Sequence, residues 1–222
     1  MKKIISLFQR NHDGDRLVRN EIVPGAEWVL EGLGQSTRKW DGTCCMVRDG
    51  KLYKRFDAKR GKTPPPNFEA SQEPDTVTGH HPGWVPVGDG PEDQWFRAAF
   101  EWPYYSKDNK YPAPIPDGTY EMCGPKVNGN QERCLSHTLI AHDSQECPDC
   151  PRDFDGLKAF FEVNDIEGIV WHHPDGRMVK IKGKDLGIKR EEVIRHKCAN
   201  TSGSTVETPA SRRRYILEGK AS

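Results

Sequence analysis

Two Asp-Gly pairs do most to limit how this chain can fold. Asp49-Gly50 separates residues 43–48 from 51–56, and Pro174-Asp175-Gly176 separates 167–173 from 177–183. A two-residue Asp-Gly turn takes positive φ at both positions and joins antiparallel strands. Two such turns commit much of the chain to antiparallel sheet. Further strands are predicted over 26–31, 117–124 and 137–143. Helices are predicted over 90–102 and 153–164, and a helical pattern runs from Lys184 to about Cys198. In the first helix Pro91 stands near the start, acids fill the first turn, and Trp95, Phe96, Ala99 and Phe100 share a face. Residues 57–90 are rich in Pro, Gly, Asp and His without a period and read as a long surface loop.

Composition selects among architectures. With 34% hydrophobic residues, 30% charged, 21 glycines and 17 prolines, the chain suits a loop-rich α+β domain better than a helix bundle. We expect one domain over 1–198 and a flexible basic tail over 199–222, where no core-forming pattern continues. Basic and acidic residues balance at 33 each, which argues against indiscriminate nucleic-acid binding but leaves room for a local basic groove. The N-terminal apolar run, "IISLF", is too short for a signal-peptide core, and no stretch is long enough to cross a membrane. Seven cysteines form no secreted-type framework. These features predict a soluble protein of a reducing compartment, the cytoplasm, and no obligate protein partner is evident.

In "RMVKIK" (177–182), Val179 and Ile181 point one way and Lys180 and Lys182 the other. An apolar face in the core leaves two ammonium groups side by side, and an anion such as a phosphate chain relieves their repulsion. The second feature is "STRKWDGTCC" (36–45). Lys39 stands two residues before Asp41-Gly42, where aspartate can anchor a turn and glycine permits close backbone approach. A lysine attacks phosphorus only when deprotonated, so neighbouring cations (Arg38, Lys180, Lys182) are expected to lower its pKa.

These motifs occur in a definite order. "KWDG" (39–42) is followed by "KRFDAKRGK" (54–62), "YEMCGPKVNGN" (120–130), "LIAHD" (139–143), "EGIVW" (167–171) and "MVKIKG" (178–183). The series resembles the motif ladder of the covalent nucleotidyltransferases, the ATP-dependent ligases and capping enzymes. Its finer text resembles the small 5′-to-3′ RNA ligases, a family that includes a vertebrate enzyme. The resemblance spans roughly residues 20–190.

The resemblance implies a nucleotidyltransferase domain of antiparallel sheets flanked by helices; larger ligases and capping enzymes add a C-terminal OB-fold domain, and none is expected here. About 40 residues follow the last motif, too few for one. It implies an ATP-dependent RNA ligase that joins 5′-phosphate and 3′-hydroxyl ends through lysyl-AMP, with Mg²⁺ or Mn²⁺. Lys39 matches the nucleophile. Thr37 and Arg38 would lie near the adenine edge, with Asp41 and Gly42 completing the turn. Arg55 would bind ribose or the RNA 5′-phosphate, with Lys54 and Lys59 less firmly aligned. Glu121 matches the acid that holds the ribose hydroxyls, and His142 stands where related enzymes stack an aromatic ring on adenine. Glu167 would position the metal, and Lys180 and Lys182 match the lysines that contact the α-phosphate.

Three alternatives stay open: a DNA ligase, a GTP-dependent capping-type guanylyltransferase and a non-catalytic end-binding domain. Cys134, His137, Cys147 and Cys150 have the spacing of a small zinc site, against which stands the strand predicted to begin at His137. Trp84, Trp95 and Trp102 are read mainly as core, His80-His81 and His172-His173 as loop and turn residues, and Arg212–Arg214 as a solvated tail.

Overall fold

The computed structural model describes residues 4–76, 78–101 and 113–190. The chain runs β1 (Ile5–Ser6), β2 (Phe8–Arg10), β3 (Val18–Ile22), β4 (Gln35–Lys39), β5 (Thr43–Arg48), β6 (Lys51–Ala58), β7 (Glu69–Ala70) and β8 (His81–Pro86). Then come α1 (Gln94–Phe100), β9 (Gly118–Cys123), β10 (Thr138–Ala141), α2 (Phe154–Val163), β11 (Gly168–His172) and β12 (Met178–Lys182). Short 3-10 turns cover Glu27–Val29, Pro91–Asp93, Asn128–Asn130 and Gly183–Leu186. The fold is α+β. One sheet has the order β1-β12-β11-β4, a second β10-β9-β5-β6-β8-β7, and β2-β3 form a small ribbon. Every pairing is antiparallel except β1 with β12.

Both Asp-Gly hairpins form. Asp49 and Gly50 have φ of 52° and 67°, the mirror-image turn that matches strand twist. Each sheet buries one face under a helix. Ile169, Trp171, Val179 and Ile181 pack on Leu157 and Phe161 of α2 together with Leu7, Phe8 and Trp28. The Asp153 carboxylate caps α2 by accepting the Gly156 N–H at 2.8 Å, and apolar residues recur on one helix face. The larger sheet buries Cys45, Val47, Leu52, Tyr120 and Met122 against Ala99, Phe96 and Phe100 of α1. The two remaining sheet faces border a common cleft.

Three expectations are corrected. Residues 26–31 form no strand: the chain turns at Glu27–Val29, and consecutive rather than alternate residues, Trp28 and Val29, are buried. The Glu27 carboxylate accepts the Gly25 N–H, and the Trp28 indole donates to the Gly25 carbonyl at 3.0 Å, so local bonds hold the bend. The 57–90 segment is not all loop, because β8 pairs with β6 from Tyr53 to Ala58. Its Pro82 and Pro86 hid the strand. The Pro82 carbonyl accepts the Ser71 N–H at 3.0 Å on the β7 side, so its ring nitrogen, and that of Pro86 four residues on, faces away from β6 and costs that ladder no bond. Three short strands also occupy residues 5–22, where none was predicted. The helical pattern expected after Lys184 does not start there: a 3-10 turn over Gly183–Leu186 is closed by Gly187 with φ of 84°, and residues 188–189 are not helical. Residues 191–198, the 199–222 tail, Arg212–Arg214 and Trp102 lie outside the described residues. No helix among the described residues is long and apolar enough to cross a membrane.

Candidate functional site

The turn after β4 is fixed by close contact with β9. A Cβ on Gly42 would lie 2.4 Å from the Met122 carbonyl oxygen and 2.8 Å from Glu121 Cγ, so only glycine fits. The Gly42 N–H donates to Glu121 Oε1 at 3.2 Å. Asn128 Nδ2 donates both to Asp41 Oδ1 (3.0 Å) and to the Gly42 carbonyl (2.8 Å). These bonds set the end of β4, and with it Lys39.

Register then brings the lysines together. Residues directly opposite in an antiparallel pair share a face. Lys39, Gly168 and Lys182 form one rung across β4, β11 and β12; Thr37, Val170 and Lys180 form the next, and Gln35, His172 and Met178 the third. Rungs are about 7 Å apart along the strands. The middle residue of the first rung is glycine, and a Cβ there would meet the Ile181 carbonyl oxygen at 2.2 Å. Lys39 Nζ donates to Glu167 Oε2 at 2.5 Å, and Lys182 Nζ donates to the other oxygen of the same carboxylate. The Lys180 ammonium has no hydrogen-bond or ion-pair partner among the described residues. Val179 and Ile181 are fully buried on the opposite face, as the alternation predicts.

The charges settle which lysine is perturbed. Burial pushes Lys180 down to about 8, reinforced by the ammonium groups of Lys182 and Lys39. Burial also pulls on Lys39, but Glu167 and Glu121 more than offset it, and its pKa is raised. The expectation that neighbouring cations lower Lys39 is therefore corrected for the nucleotide-free protein: two carboxylates outweigh them. Burial works against the Glu167 charge, yet Lys39 and Lys182 hold its pKa below the usual value.

The facing sheet supplies a second row. Glu121 lies opposite Cys44 across β9 and β5, and Arg55 opposite Trp84 across β6 and β8. Glu121 is buried, and His142 Nε2 lies 2.9 Å from its Oε2 while His142 Nδ1 lies 3.0 Å from Thr119 Oγ1. Arg55 donates to Ser71 Oγ at 3.2 Å, its guanidinium 5.3 Å from the centre of a Trp84 ring. Burial and the Glu121 carboxylate push the Cys44 thiol up to about 12. A pocket of about 440 Å³ adjoins both sheets and is lined by Thr119, His142, Asp143, His172 and Met178.

Thr37 shares the face of Lys39 and Lys180, its hydroxyl 2.9 Å from His172 Nε2. Not every predicted residue reaches the cleft by its side chain: the Arg38 N–H donates to the Gln145 carbonyl at 2.9 Å while its side chain turns away. Arg38 stacks on Trp40 at 3.9 Å and pairs with Glu132. Lys54 points to the far side of β6 and pairs with Asp93. Of the tryptophans, Trp84 is buried and Trp95 stacks on His137 at 4.5 Å. Cys134, His137, Cys147 and Cys150 do not converge: the only metal-competent cluster of three among the described residues is Cys44, Glu121 and His142.

Sequence reasoning missed Glu132 and Asn128. The Glu132 side chain is 1% exposed, accepts from Arg38, from Arg190 at 3.0 Å and from the Asp41 N–H at 3.0 Å, and so ties four segments together. It sits in an aperiodic loop that carried no signal. Asn128 lies in "KVNGN", whose asparagines mark a turn without indicating its target.

A cleft that sets three ammonium groups beside two buried carboxylates can hold an anion between its cations. A family model described as RNA ligase 1 matches residues 113–215, a span that holds Glu121, His142, Glu167, Lys180 and Lys182 but not Lys39. RNA ligase 1 of Mus musculus is 26% identical over 69% of this chain and 67% of its own length. The Pongo abelii protein of the same name is 28% identical over 68% and 67%, and that of Danio rerio 24% identical over 69% and 67%. The chain is thus related to the RNA ligase family.

Proposed function

We propose that this chain is an ATP-dependent RNA ligase whose nucleophile is Lys39. The observation that carries the proposal is the single rung on which Lys39 and Lys182 share the Glu167 carboxylate, with Lys180 unpartnered one rung away. The α-phosphate of ATP lies at the first rung, between Lys39 and the Lys180–Lys182 pair. The nucleoside extends along the rungs toward Val170 and Met178, its ribose hydroxyls accepted by Glu121 and its base beside His142 and the β4 segment at Thr37 and Arg38.

In the free protein Glu167 holds Lys39 protonated. A triphosphate that draws Glu167 off Lys39 removes that support, while burial and the charges of Lys180 and Lys182 still push the pKa down. Lys39 loses its proton to solvent, and its Nζ attacks the α-phosphorus. A P–N bond forms, the P–O bond to pyrophosphate breaks, and Lys180 and Lys182 stabilise the departing charge. An oxygen of the RNA 5′-phosphate then attacks the same phosphorus and frees Lys39. Finally the 3′-hydroxyl attacks the RNA phosphorus, seals the strand and releases AMP. Arg55, with Trp84 behind it, stands on the facing sheet to hold the RNA 5′-phosphate or ribose.

Glu167 is the carboxylate that would take up magnesium or manganese arriving with the nucleotide; the ion would supply charge neutralisation at phosphate. Its hard oxygen donors beside Lys39 and Lys182 fit such an ion. We further read residues 1–198 as one nucleotidyltransferase domain acting in the cytoplasm. The six free thiols among the described residues suit a reducing compartment.

The test is strand joining. With ATP and Mg²⁺, the protein should seal RNA bearing 5′-phosphate and 3′-hydroxyl ends, and Lys39→Ala should not. Equal sealing by Lys39→Ala would overturn the assignment. Preference for DNA ends, or for GTP, would move the protein to a different nucleotidyltransferase class.

A further inference from the structure

We propose that Cys44, Glu121 and His142 form a binding site for a thiophilic divalent cation, zinc being the natural occupant, and that its occupation excludes nucleotide. The three residues come from β5, β9 and the end of β10. One ligand atom from each, Sγ, a carboxylate oxygen and an imidazole nitrogen, lies within 4.8 Å of the others. Around a tetrahedral zinc such atoms stand about 3.4–3.6 Å apart, given bonds of ~2.3 Å to sulfur and ~2.0–2.1 Å to nitrogen or oxygen. A modest side-chain adjustment therefore closes the site, His142 Nε2 and Glu121 Oε2 moving apart from 2.9 Å to admit the ion. Three protein ligands leave a fourth position open to the cleft.

Two features mark this as a prepared ligand set. His142 Nε2 lies 2.9 Å from Glu121 Oε2 and shares its proton with that carboxylate in the metal-free protein; Thr119 Oγ1, 3.0 Å from Nδ1, can accept an Nδ1–H in the other tautomer, which turns the Nε2 lone pair toward the ion. Register also fixes Cys44 directly opposite Glu121, so the thiol and carboxylate share a face by strand pairing. The mixed sulfur, nitrogen and oxygen set suits zinc or cobalt and not magnesium, which takes oxygen ligands. Binding releases the Cys44 proton to solvent and joins a thiolate, a carboxylate and a neutral imidazole to a dication.

The second half of the inference rests on the ligase reading, which gives Glu121 to the ribose and His142 to the base. An ion held by both would bar the nucleoside, and saturating nucleotide would expel the ion. Cys44 itself has no part in that reading.

The test separates the two halves. The full chain, stripped of metal, is titrated with Co²⁺ while thiolate-to-cobalt charge-transfer absorption is followed, and zinc affinity is measured by competition with a chromophoric chelator. Cys44→Ser and His142→Gln should lose the cobalt band and weaken zinc by more than the ~10–100-fold loss typical of an outer-shell change. Cys147→Ser, away from the cleft, should keep both. A band and affinity unchanged in Cys44→Ser would overturn the site. ATP should then abolish the wild-type band, and zinc should inhibit the wild type more strongly than Cys44→Ser. If the band persists at saturating ATP in a protein that forms the lysyl-adenylate, the exclusion fails. If no adenylate forms even without zinc, the ligase reading fails while the metal site is judged by the cobalt titration alone.

Discussion

Replacing Lys180 by methionine should stabilise the nucleotide-free protein and disable it. Lys180 lies on the cleft face of β12 beside the ammonium groups of Lys182 and Lys39, with its pKa pushed from the ordinary 10.5 to about 8. At ~1.4 kcal/mol per decade, that gap amounts to about 3 kcal/mol of unfavourable interaction at neutral pH. The side chain keeps some contact with solvent, which reduces the expected gain from Lys180→Met to about 1–2 kcal/mol. The sign follows from proton binding. Between pH 8 and 10.5 the unfolded chain binds more protons than the folded one, so the penalty is full below pH 8 and fades as pH rises. The gain should therefore be about two-fifths smaller at pH 9 than at pH 7. Urea unfolding of both proteins at the two pH values measures it, and nucleotide-induced stabilisation measured alongside should vanish in the variant. A variant less stable than the parent, or a gain equal at both pH values, would refute the view of Lys180 as a desolvated cation waiting for an anion.

Three further perturbations probe the frame of the site. Gly42→Ala drives a Cβ against the Met122 carbonyl and should destabilise by about 1–3 kcal/mol while slowing adenylate formation, read by denaturant midpoint and single-turnover rate. Glu132→Ala strands Arg38 and Arg190 without their shared buried carboxylate and should lower unfolding free energy by about 3–5 kcal/mol. Asp153→Ala removes the α2 cap far from the cleft; it should lower stability by about 1 kcal/mol and leave the adenylation rate unchanged.

Legibility followed how local the determining physics was. The two Asp-Gly turns dictated hairpins that formed, and the alternation in 177–182 placed Val179 and Ile181 in the core and the lysines in the cleft. The convergence of Lys39 with Lys182 was invisible in either motif, because it depends on β11 pairing with both β4 and β12. The strand at His81–Pro86 was hidden by its prolines, and the bend at Glu27–Val29 by apolar residues that happen to be contiguous. Electrostatics was the least legible. Arg38 beside Lys39 in sequence suggested a depressed pKa, yet Arg38 is spent on Glu132, and Glu167, 128 residues away, holds the lysine protonated.

The most direct measurement is the intact mass of the protein after incubation with ATP and Mg²⁺, beside Lys39→Ala. The account predicts a gain of one adenylate in the parent, none in the variant, and loss of the adduct when 5′-phosphorylated RNA is added. No adduct on folded protein freed of any adenylate carried through purification, or an adduct that survives in Lys39→Ala, would contradict it.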